Sequence, residues 1–538
     1  MNRISQEHTT IYSKVYLPLL ILMVIGLPLS KALTSIVPGV LMFFWIVDGH
    51  FYEKFDLLKK RRGTIFLISI YFVYLIGLLW TSSFAKGLID ITIQLPLFVL
   101  PLVIGTSSRL NYTQVKQIMY FFAIAVVIAS FCSVWVLMGF SEHIIRDPRE
   151  MSLFISHIRF SLLINIAIFS LGWYLINSEK KNLKEKVFLV LTIIWLVVFL
   201  IILRSITGWA VFFVVSLIVS FYYILKISRL FLRLSWLVCL LFFSLTPVFY
   251  TLYIVQQFYS VEKIPANICF QKTRLGNLYN QDLQNKELEN GHYIYLYMNE
   301  DELRASWNKR SILNYDSIYA SGFNRFVLLR YLTSKGFRKD AEGVEKLNKN
   351  DISNIENGMT NYRFATANSF FKRIYQIVWE VDSYLKGGNP SGHSVTQRLE
   401  YYKMALNIIR ERPWFGHGTG GYYLAYQKEY DRSKFFPPGI YRQRSHNMIF
   451  SYMIDFGIIG AIYICYALVA PVYSENKRKS FLLITFLLVV SISLINEDTL
   501  NNHDAISFFA FFYPLFLYSD HEKPSHSISQ KETCEQIS

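Results

Sequence analysis

Two histidines and several arginines stand where long apolar runs begin or end. His446 directly precedes one apolar run, and His157 with Arg159 opens another. A histidine titrates near neutral pH, so it can accept a proton from an attacking hydroxyl. An arginine at membrane depth needs an anionic partner, and its planar guanidinium can bind two phosphate oxygens at once. These residue types predict a site at a membrane boundary where a hydroxyl attacks a lipid-linked phosphate or pyrophosphate compound.

Each of these side chains also has a simpler explanation. Arg159 could extend its charge to lipid headgroups, and His446 could serve only as a hydrogen-bonding residue at the membrane boundary. Arg204 favours a site more strongly, because it lies in a very short turn before Gly208, between two apolar runs. The simpler explanation for His417 is a role in stabilising its loop.

The apolar runs predict an all-α polytopic membrane protein. Hydrophobic residues make up 53% of the 538 residues, too many for an ordinary soluble domain. Runs of about 18 or more such residues are typical of membrane-spanning helices. About twelve spans are expected, at residues 16–30, 32–48, 64–80, 91–105, 118–140, 158–177, 187–203, 208–225, 232–254, 447–471, 480–496 and 505–519.

Lysine and arginine concentrate in alternate connecting segments, which the positive-inside rule assigns to the cytoplasm. Both chain termini are therefore expected in the cytoplasm. The formal net charge of +16 is attributed to this bias rather than to binding of nucleic acid. A cleaved signal peptide over residues 1–35 is the alternative for the N-terminus, but losing one span would disturb the alternation.

The long polar segment between the ninth and tenth spans should then face out of the cell membrane. It is long enough to hold its own core, and its pattern is mostly helical. The predicted domains are an N-terminal bundle of about nine spans (1–254), an extracytoplasmic, periplasmic loop subdomain (255–446), a C-terminal bundle of about three spans (447–519) and a cytoplasmic tail (520–538).

The clearest helix of this segment is Ser394–Arg410, which Pro413 should end. Its predicted apolar face is formed by Leu399, Tyr402, Leu406 and Ile409. The glycines at 416–421 do not form a nucleotide phosphate loop, since no strand precedes them and no Lys-Ser/Thr follows. They are expected to end the helix and let the backbone pass close to the membrane bundle.

Metal and cofactor sites are not expected. No Cys/His spacing typical of a metal site occurs. The first outward loop holds no acidic residue, which argues against glycosyltransferases that carry an acidic metal-binding motif there.

The order of the motifs resembles the O-antigen ligase and O-antigen polymerase superfamily of integral-membrane glycan transferases. The resemblance covers nearly the whole chain and is most specific over 392–460. Its features are about twelve spans with one long outward loop, the turn at 203–209, Gln397-Arg398-Leu399-Glu400, Pro413-Trp414-Phe415-Gly416-His417-Gly418, and Ser445-His446-Asn447 before a span with Phe456-Gly457-Ile458-Ile459-Gly460.

This resemblance implies a multi-pass protein of the bacterial inner membrane. It would bind an undecaprenyl-pyrophosphate-linked glycan among the lipids of the outer leaflet and transfer the glycan to an acceptor hydroxyl, without a metal, cofactor or nucleic acid. By position it assigns the pyrophosphate to Arg204, Arg398 and Arg159, the proton-accepting role to His446, and additional site roles to His157 and Asn447.

Several functions stay open at this point. The first is ligation of a polysaccharide to a lipid A-core sugar; polymerisation of repeat units and transfer to a protein hydroxyl are alternatives within the same superfamily. A transporter is the alternative from a different class. A transporter would more often carry polar residues or helix breaks in mid-span and related halves, whereas the ionisable residues here crowd at one membrane edge.

Overall fold

The computed structural model describes residues 11–140, 148–177, 182–366, 369–433, 435–436 and 442–519. The predicted tail at 520–538 lies outside them. The described chain is mostly helical, as the sequence predicts, with one short antiparallel hairpin that pairs Leu288–Glu289 with His292–Tyr293. In chain order the helices are α1 (Ile11–Leu29), α2 (Lys31–Val47), α3 (Phe51–Lys60), α4 (Arg62–Gly77), α5 (Phe84–Gln94), α6 (Pro96–Gly105), α7 (Tyr112–Leu137), α8 (His157–Ile176), α9 (Leu183–Leu203), α10 (Ile206–Leu225), α11 (Leu230–Tyr259), α12 (Glu300–Arg310), α13 (Arg325–Ser334), α14 (Ala341–Glu345), α15 (Lys349–Glu356), α16 (Tyr362–Thr366), α17 (Ser369–Leu385), α18 (Ser394–Glu411), α19 (Tyr422–Arg432), α20 (Met448–Ser474), α21 (Phe481–Asn496) and α22 (His503–Tyr518).

Nine helical segments of the described chain are long and apolar enough to cross a membrane, or ten if the bent pair α2 and α3 forms one span. The protein is therefore a multi-pass membrane protein, but the count of twelve is not confirmed. Three of the expected spans, α2, α21 and α22, are helices of only 16 or 17 residues. A straight span needs about 20 residues to cross the hydrocarbon layer.

The short length of α22 is explained by its surroundings. The apolar residues of α22 are buried on all sides, which is the pattern of a helix in the centre of a protein. Its aromatic rings surround Phe486 of α21, with Phe508, Phe512 and Phe516 at centroid distances of 5.7, 6.1 and 5.9 Å. A central helix does not have to match the thickness of the lipid layer.

The chain divides into two compact units. The first combines the residues up to Tyr223 with those from Gln397 onward, and the second is Ile224–Thr396. The second unit has its own core, in which Trp307 of α12 stacks on Phe323 at 5.2 Å and donates a hydrogen bond to the Leu313 carbonyl. Elsewhere in that unit α11 packs on α17 through Ile254, Phe371 and Tyr375.

The boundaries of α18 confirm the sequence prediction, since the helix runs from Ser394 to Glu411 and ends before Pro413. The predicted apolar face is buried only in part. Leu399 and Leu406 are 40% and 41% exposed, whereas Ile409 is buried together with Tyr401, Met404, Ala405 and Ile408. These pack with α19 and the start of α20. The sequence pattern did not separate these two sides of α18, because apolar residues occur on both of them.

Candidate active site at the start of α20

A break in α20 brings the glycine-rich loop into the bundle. Gly457 has a backbone φ of 67°, which interrupts the helix. The loop pairs with the backbone groups that the break releases: His417 N donates to Ile454 O at 2.8 Å, and Ile458 N donates to Pro413 O at 2.7 Å. A Cβ atom at Gly457 would lie 2.2 Å from the carbonyl of Trp414, so no larger residue fits there.

The same loop is fixed to the end of α4. Thr419 N donates to Gly77 O at 3.1 Å, and the Thr419 hydroxyl donates to Tyr74 O at 2.6 Å. Gly418 has a φ of 79° and lies so close to Gly77 that an added Cβ would be 2.6 Å from its carbonyl oxygen. The prediction that these glycines allow a close backbone approach to the bundle is therefore confirmed.

A cavity of about 760 Å³ lies next to this loop, at the N-terminal end of α20. It contains polar groups from four parts of the first unit, which include the start of α8, helix α19, the segment before α20 and the turn between α21 and α22. Its lining residues are Ser156, Ile158, Arg159, Tyr422, Tyr423, Tyr426, Gln427, Tyr430, Arg442, Gln443, Arg444, His446, Glu497, Asp498, Thr499, Asn501 and Asn502.

Glu497 joins two of the residues that the sequence predicted. One carboxylate oxygen accepts a hydrogen bond from Arg398 Nη2 at 2.7 Å, and the other lies 3.3 Å from His446 Nδ1. The Glu497 side chain is only 9% exposed, so its charge needs these partners. Burial alone would raise the pKa of Glu497, but the hydrogen bond from His446 and the positive charge of Arg398 lower it below its ordinary value. Glu497 is therefore an ionised carboxylate that orients the imidazole.

The next residue is perturbed in the opposite direction. Burial raises the pKa of Asp498, although Arg444 and a 2.9 Å hydrogen bond from Ser451 favour its ionised form. Adjacent carboxyl groups whose pKa values are moved apart are characteristic of sites that handle protons. The turn between α21 and α22 thus supplies one ionised carboxylate and one carboxyl group that retains its proton more easily.

Two arginines add positive charge to the cavity wall. Arg442 forms a 2.8 Å ion pair with Asp431. Arg444 lies over the ring of Tyr422, 3.5 Å from its centroid. Burial would lower the pKa of Arg444, but Tyr422 and the carboxylates around it, Asp498 among them, raise it. The Arg444 guanidinium therefore remains charged beside His446.

Tyrosine hydroxyls of α19 hold the segment that carries His446. Gln443 N donates to the Tyr430 hydroxyl at 2.8 Å, and Ser445 N donates to the Tyr426 hydroxyl at 3.1 Å. His446 itself has a φ of 52°, a conformation that is uncommon for a residue with a side chain. The tyrosine hydrogen bonds keep this strained segment in place.

The predicted site residues are not all in the cavity. Arg159 and His446 line it, and Arg398 reaches it through its ion pair with Glu497. Arg159 lies 3.8 Å from Asp504 at the start of α22. His157, the first residue of α8, is not a lining residue.

Arg204 is exposed and lies outside the cavity lining, in a left-handed conformation at the end of α9. Its turn is nevertheless fixed to α8. The Ser205 hydroxyl donates to Ser161 Oγ at 3.1 Å, and Asn165 donates to Gly208 O at 3.1 Å. Ser161 is two residues from Arg159, so Arg204 and Arg159 belong to the same edge of the bundle.

Asn447 has a structural role at the start of α20. Its side-chain oxygen accepts hydrogen bonds from Ile449 N and Phe450 N at 3.0 and 3.1 Å, which caps the start of α20. Its amide nitrogen donates to Ile495 O at 3.1 Å. Asn447 therefore fixes the start of α20 against the end of α21, directly beside His446.

Sequence reasoning missed Glu497, Arg442 and Arg444. For the arginines a signal existed: Arg442, Arg444 and His446 alternate, and alternate side chains of an extended segment point the same way. The segment before α20 is indeed non-helical. Glu497 had no comparable signal, because only the fold brings it to a residue 51 positions earlier.

Within the described residues no group of three or more His, Cys, Asp or Glu side chains is arranged to hold a metal ion. Metal-independent chemistry stays a prediction. The cavity offers a histidine with an oriented ring, several guanidinium groups and carboxyl groups that hold or release protons. These groups can bind an anion and remove a proton from a hydroxyl.

One comparison with known families matches the part of the chain that carries the most specific motifs. Residues 358–465 match a family model described as O-antigen ligase. The matched segment contains Arg398, the glycine-rich loop, His446 and the break at Gly457, and it ends before Glu497. No curated protein matches the chain.

Proposed function

We infer that this chain, a member of the O-antigen ligase family through residues 358–465, is a membrane glycan transferase. The proposed donor is a glycan on undecaprenyl pyrophosphate, and the proposed acceptor is a hydroxyl of a lipid A-core sugar. The reaction would take place at the outer leaflet of the bacterial inner membrane. The observation that carries the proposal is the contact of His446 with the buried carboxylate of Glu497 in a cavity rich in arginine.

The arginines supply the charge that a pyrophosphate leaving group needs. When the bond between the anomeric carbon and the pyrophosphate oxygen breaks, its electron pair stays on the pyrophosphate. Arg159 in the cavity wall and Arg398 at its edge can stabilise that developing charge, because fixed donors in a partly buried site are more effective than water. Arg204 would contribute from the adjacent turn if the donor extends along that edge.

His446 is the proposed proton acceptor for the attacking hydroxyl. A proton on Nδ1 would be directed to Glu497, which leaves Nε2 free to accept the hydroxyl proton. Glu497 would then stabilise the imidazolium that forms. The new bond joins the acceptor oxygen to the anomeric carbon, and the proton is held on His446 until it passes to solvent.

Gln443 occupies the position that an acceptor must take. Its side-chain oxygen lies 2.8 Å from His446 Nε2, and the residue is exposed. An acceptor hydroxyl would replace this contact when it binds. Because an amide oxygen can only accept a hydrogen bond, this contact requires a proton on Nε2, which His446 must give up before it can act as the base.

Polymerisation of repeat units uses the same chemistry with a different acceptor, and transfer to a protein hydroxyl does so as well. The lipopolysaccharide of a strain that lacks the protein distinguishes these functions. Loss of ligation would leave lipid-linked polymer and a bare core, whereas loss of polymerisation would leave core with single repeats. Unchanged lipopolysaccharide with missing glycoproteins would favour transfer to protein, and a donor retained at the inner leaflet would favour a transporter.

A further inference from the structure

A second cavity, of about 300 Å³, lies far from the candidate active site. It is formed by the C-terminal part of α20 together with α21 and α22. Aliphatic and aromatic side chains make up nearly all of its walls, and Arg478 lies at one end. Its lining residues are Leu468, Val469, Val472, Tyr473, Arg478, Ile484, Leu487, Val490, Ser491, Leu494 and Phe509.

One end of this groove carries positively charged side chains. Arg478 is exposed and lies 5.0 Å from the ring centroid of Tyr473. Within the described residues no carboxylate lies at ion-pair distance from it. Lys477 and Lys479 flank it in the sequence, so the end of the groove is positively charged. Phosphate groups of lipids are the common anions at such a position.

The length of the groove fits one lipid leaflet. Along α21 the lining residues extend from Ile484 to Leu494, a helix length of about 15 Å. This is half of the roughly 30 Å thickness of the hydrocarbon layer. An acyl chain of ordinary length in one leaflet would therefore cover the groove, and its phosphate would lie at the level of Arg478.

The groove is at the opposite edge of the bundle from the candidate site. Helix α20 starts beside His446 and continues for 27 residues, about 40 Å, before it ends at Ser474. Near that end, Gly63 N donates a 2.9 Å hydrogen bond to Glu475, so the start of α4 lies at the same edge. The positive-inside rule assigns this edge to the cytoplasm.

We propose that this groove binds one anionic glycerophospholipid, with an acyl chain between α20 and α21 and its phosphate on Arg478. The lipid would occupy the groove between α20 and α21, at the end of these helices that is away from the candidate active site. The proposal does not depend on the proposed transferase reaction, and its test measures lipid rather than glycan transfer.

The test uses the purified full-length protein in mild detergent, incubated with equal amounts of phosphatidylglycerol and phosphatidylcholine. Native mass spectrometry then counts the lipids that each chain retains. We expect about one phosphatidylglycerol per chain for the unaltered protein and at least a fivefold lower occupancy for Arg478→Gln. Arg62→Gln is the matched control, because Arg62 is an exposed arginine at the same edge but outside the groove.

A second variant tests the acyl chain separately from the phosphate. Ser491→Trp would fill the groove and leave Arg478 in place, so it should also lose the retained lipid. The proposal is overturned if Arg478→Gln retains as much phosphatidylglycerol as the unaltered protein, if phosphatidylcholine is retained equally well, or if a folded Ser491→Trp protein keeps its lipid. Should Ser491→Trp fail to fold, the surface variant Arg478→Gln decides the question alone.

Discussion

Arginines at the two ends of the α20–α21 helix pair have different side-chain partners. At the cavity, Arg398, Arg159 and Arg442 each have a carboxylate within 4 Å, at 2.7, 3.8 and 2.8 Å. At the groove, Arg478 has an aromatic ring beside it and aliphatic walls next to it. A site for chemistry must fix its groups before the substrate arrives, whereas a site that only holds a lipid can take its counter-charge from the lipid itself.

A pyrophosphate bound in the cavity would meet arginines that already share their charge with acidic residues, so Glu497 would cancel part of the attraction. Because these arginines are paired with carboxylates, they are held in fixed positions. Fixed positions favour stabilisation of the transition state over tight binding of the ground state. The groove has no such arrangement, and it should affect lipid occupancy without affecting the reaction.

The largest effect at the cavity end is expected from His446→Ala. Loss of a general base lowers the rate of transfer by a factor of about 100 to 10,000. The rate of glycan transfer from a lipid-linked donor by the purified protein measures this. His393→Ala is the matched control, because His393 belongs to the second unit and packs beside Trp379 at a centroid distance of 5.4 Å. Equal rates for the two variants would remove His446 from the mechanism.

Glu497→Gln should have the next largest effect, a loss of roughly tenfold to 100-fold in kcat, because the neutral amide cannot stabilise an imidazolium. KM for the donor should change much less, since the arginines remain. Glu411→Gln, which alters an exposed carboxylate paired with Lys428, is the control. A change confined to KM would contradict the orienting role.

A smaller effect, a loss of a few-fold in kcat, is expected from Tyr430→Phe. The change removes the hydroxyl that accepts the hydrogen bond from Gln443 N and therefore loosens the segment before His446. Tyr402→Phe, on α18, is the control because Tyr402 does not line the cavity. If both variants were fully active, the tyrosine hydrogen bonds would have no part in positioning His446.

The smallest effect should come from the groove end. Arg478→Gln should leave the rate of transfer in detergent within about twofold of the unaltered protein, because Arg478 is about 40 Å of helix away from His446. The same transfer assay measures it. A loss comparable to that of Glu497→Gln would show that the two ends are coupled.

Local sequence signals predicted much of the framework. Pro413 marked the end of α18, the glycines marked the close approach to α4 and α20, and His446 marked the start of a span. Each depends on backbone geometry or on polarity, which a short stretch of residues determines. The buried face of α18 could be predicted only in part in this way, because Leu399 and Leu406 are apolar and yet exposed, whereas Ile409 is buried.

The composition of the site depended on the tertiary structure. Glu497 and Asp498 are adjacent acidic residues in a connecting turn, and acidic residues in such turns are usually solvated. Only the packing of α20 beside α21 brings it to His446 and Arg398. Arg204 shows the reverse case: its sequence context favoured a direct role, and the fold leaves it exposed outside the cavity lining.

In the proposed mechanism the cavity at the start of α20 binds the pyrophosphate donor through its arginines, while His446 carries out the proton transfer. Binding of an undecaprenyl-pyrophosphate glycan to purified His446→Ala protein, with and without Arg398→Ala, separates these two roles. We expect His446→Ala to bind the donor as tightly as the unaltered protein without transferring it, and the addition of Arg398→Ala to weaken binding at least tenfold. Unchanged donor binding in the double variant, or transfer by His446→Ala at the normal rate, would contradict it.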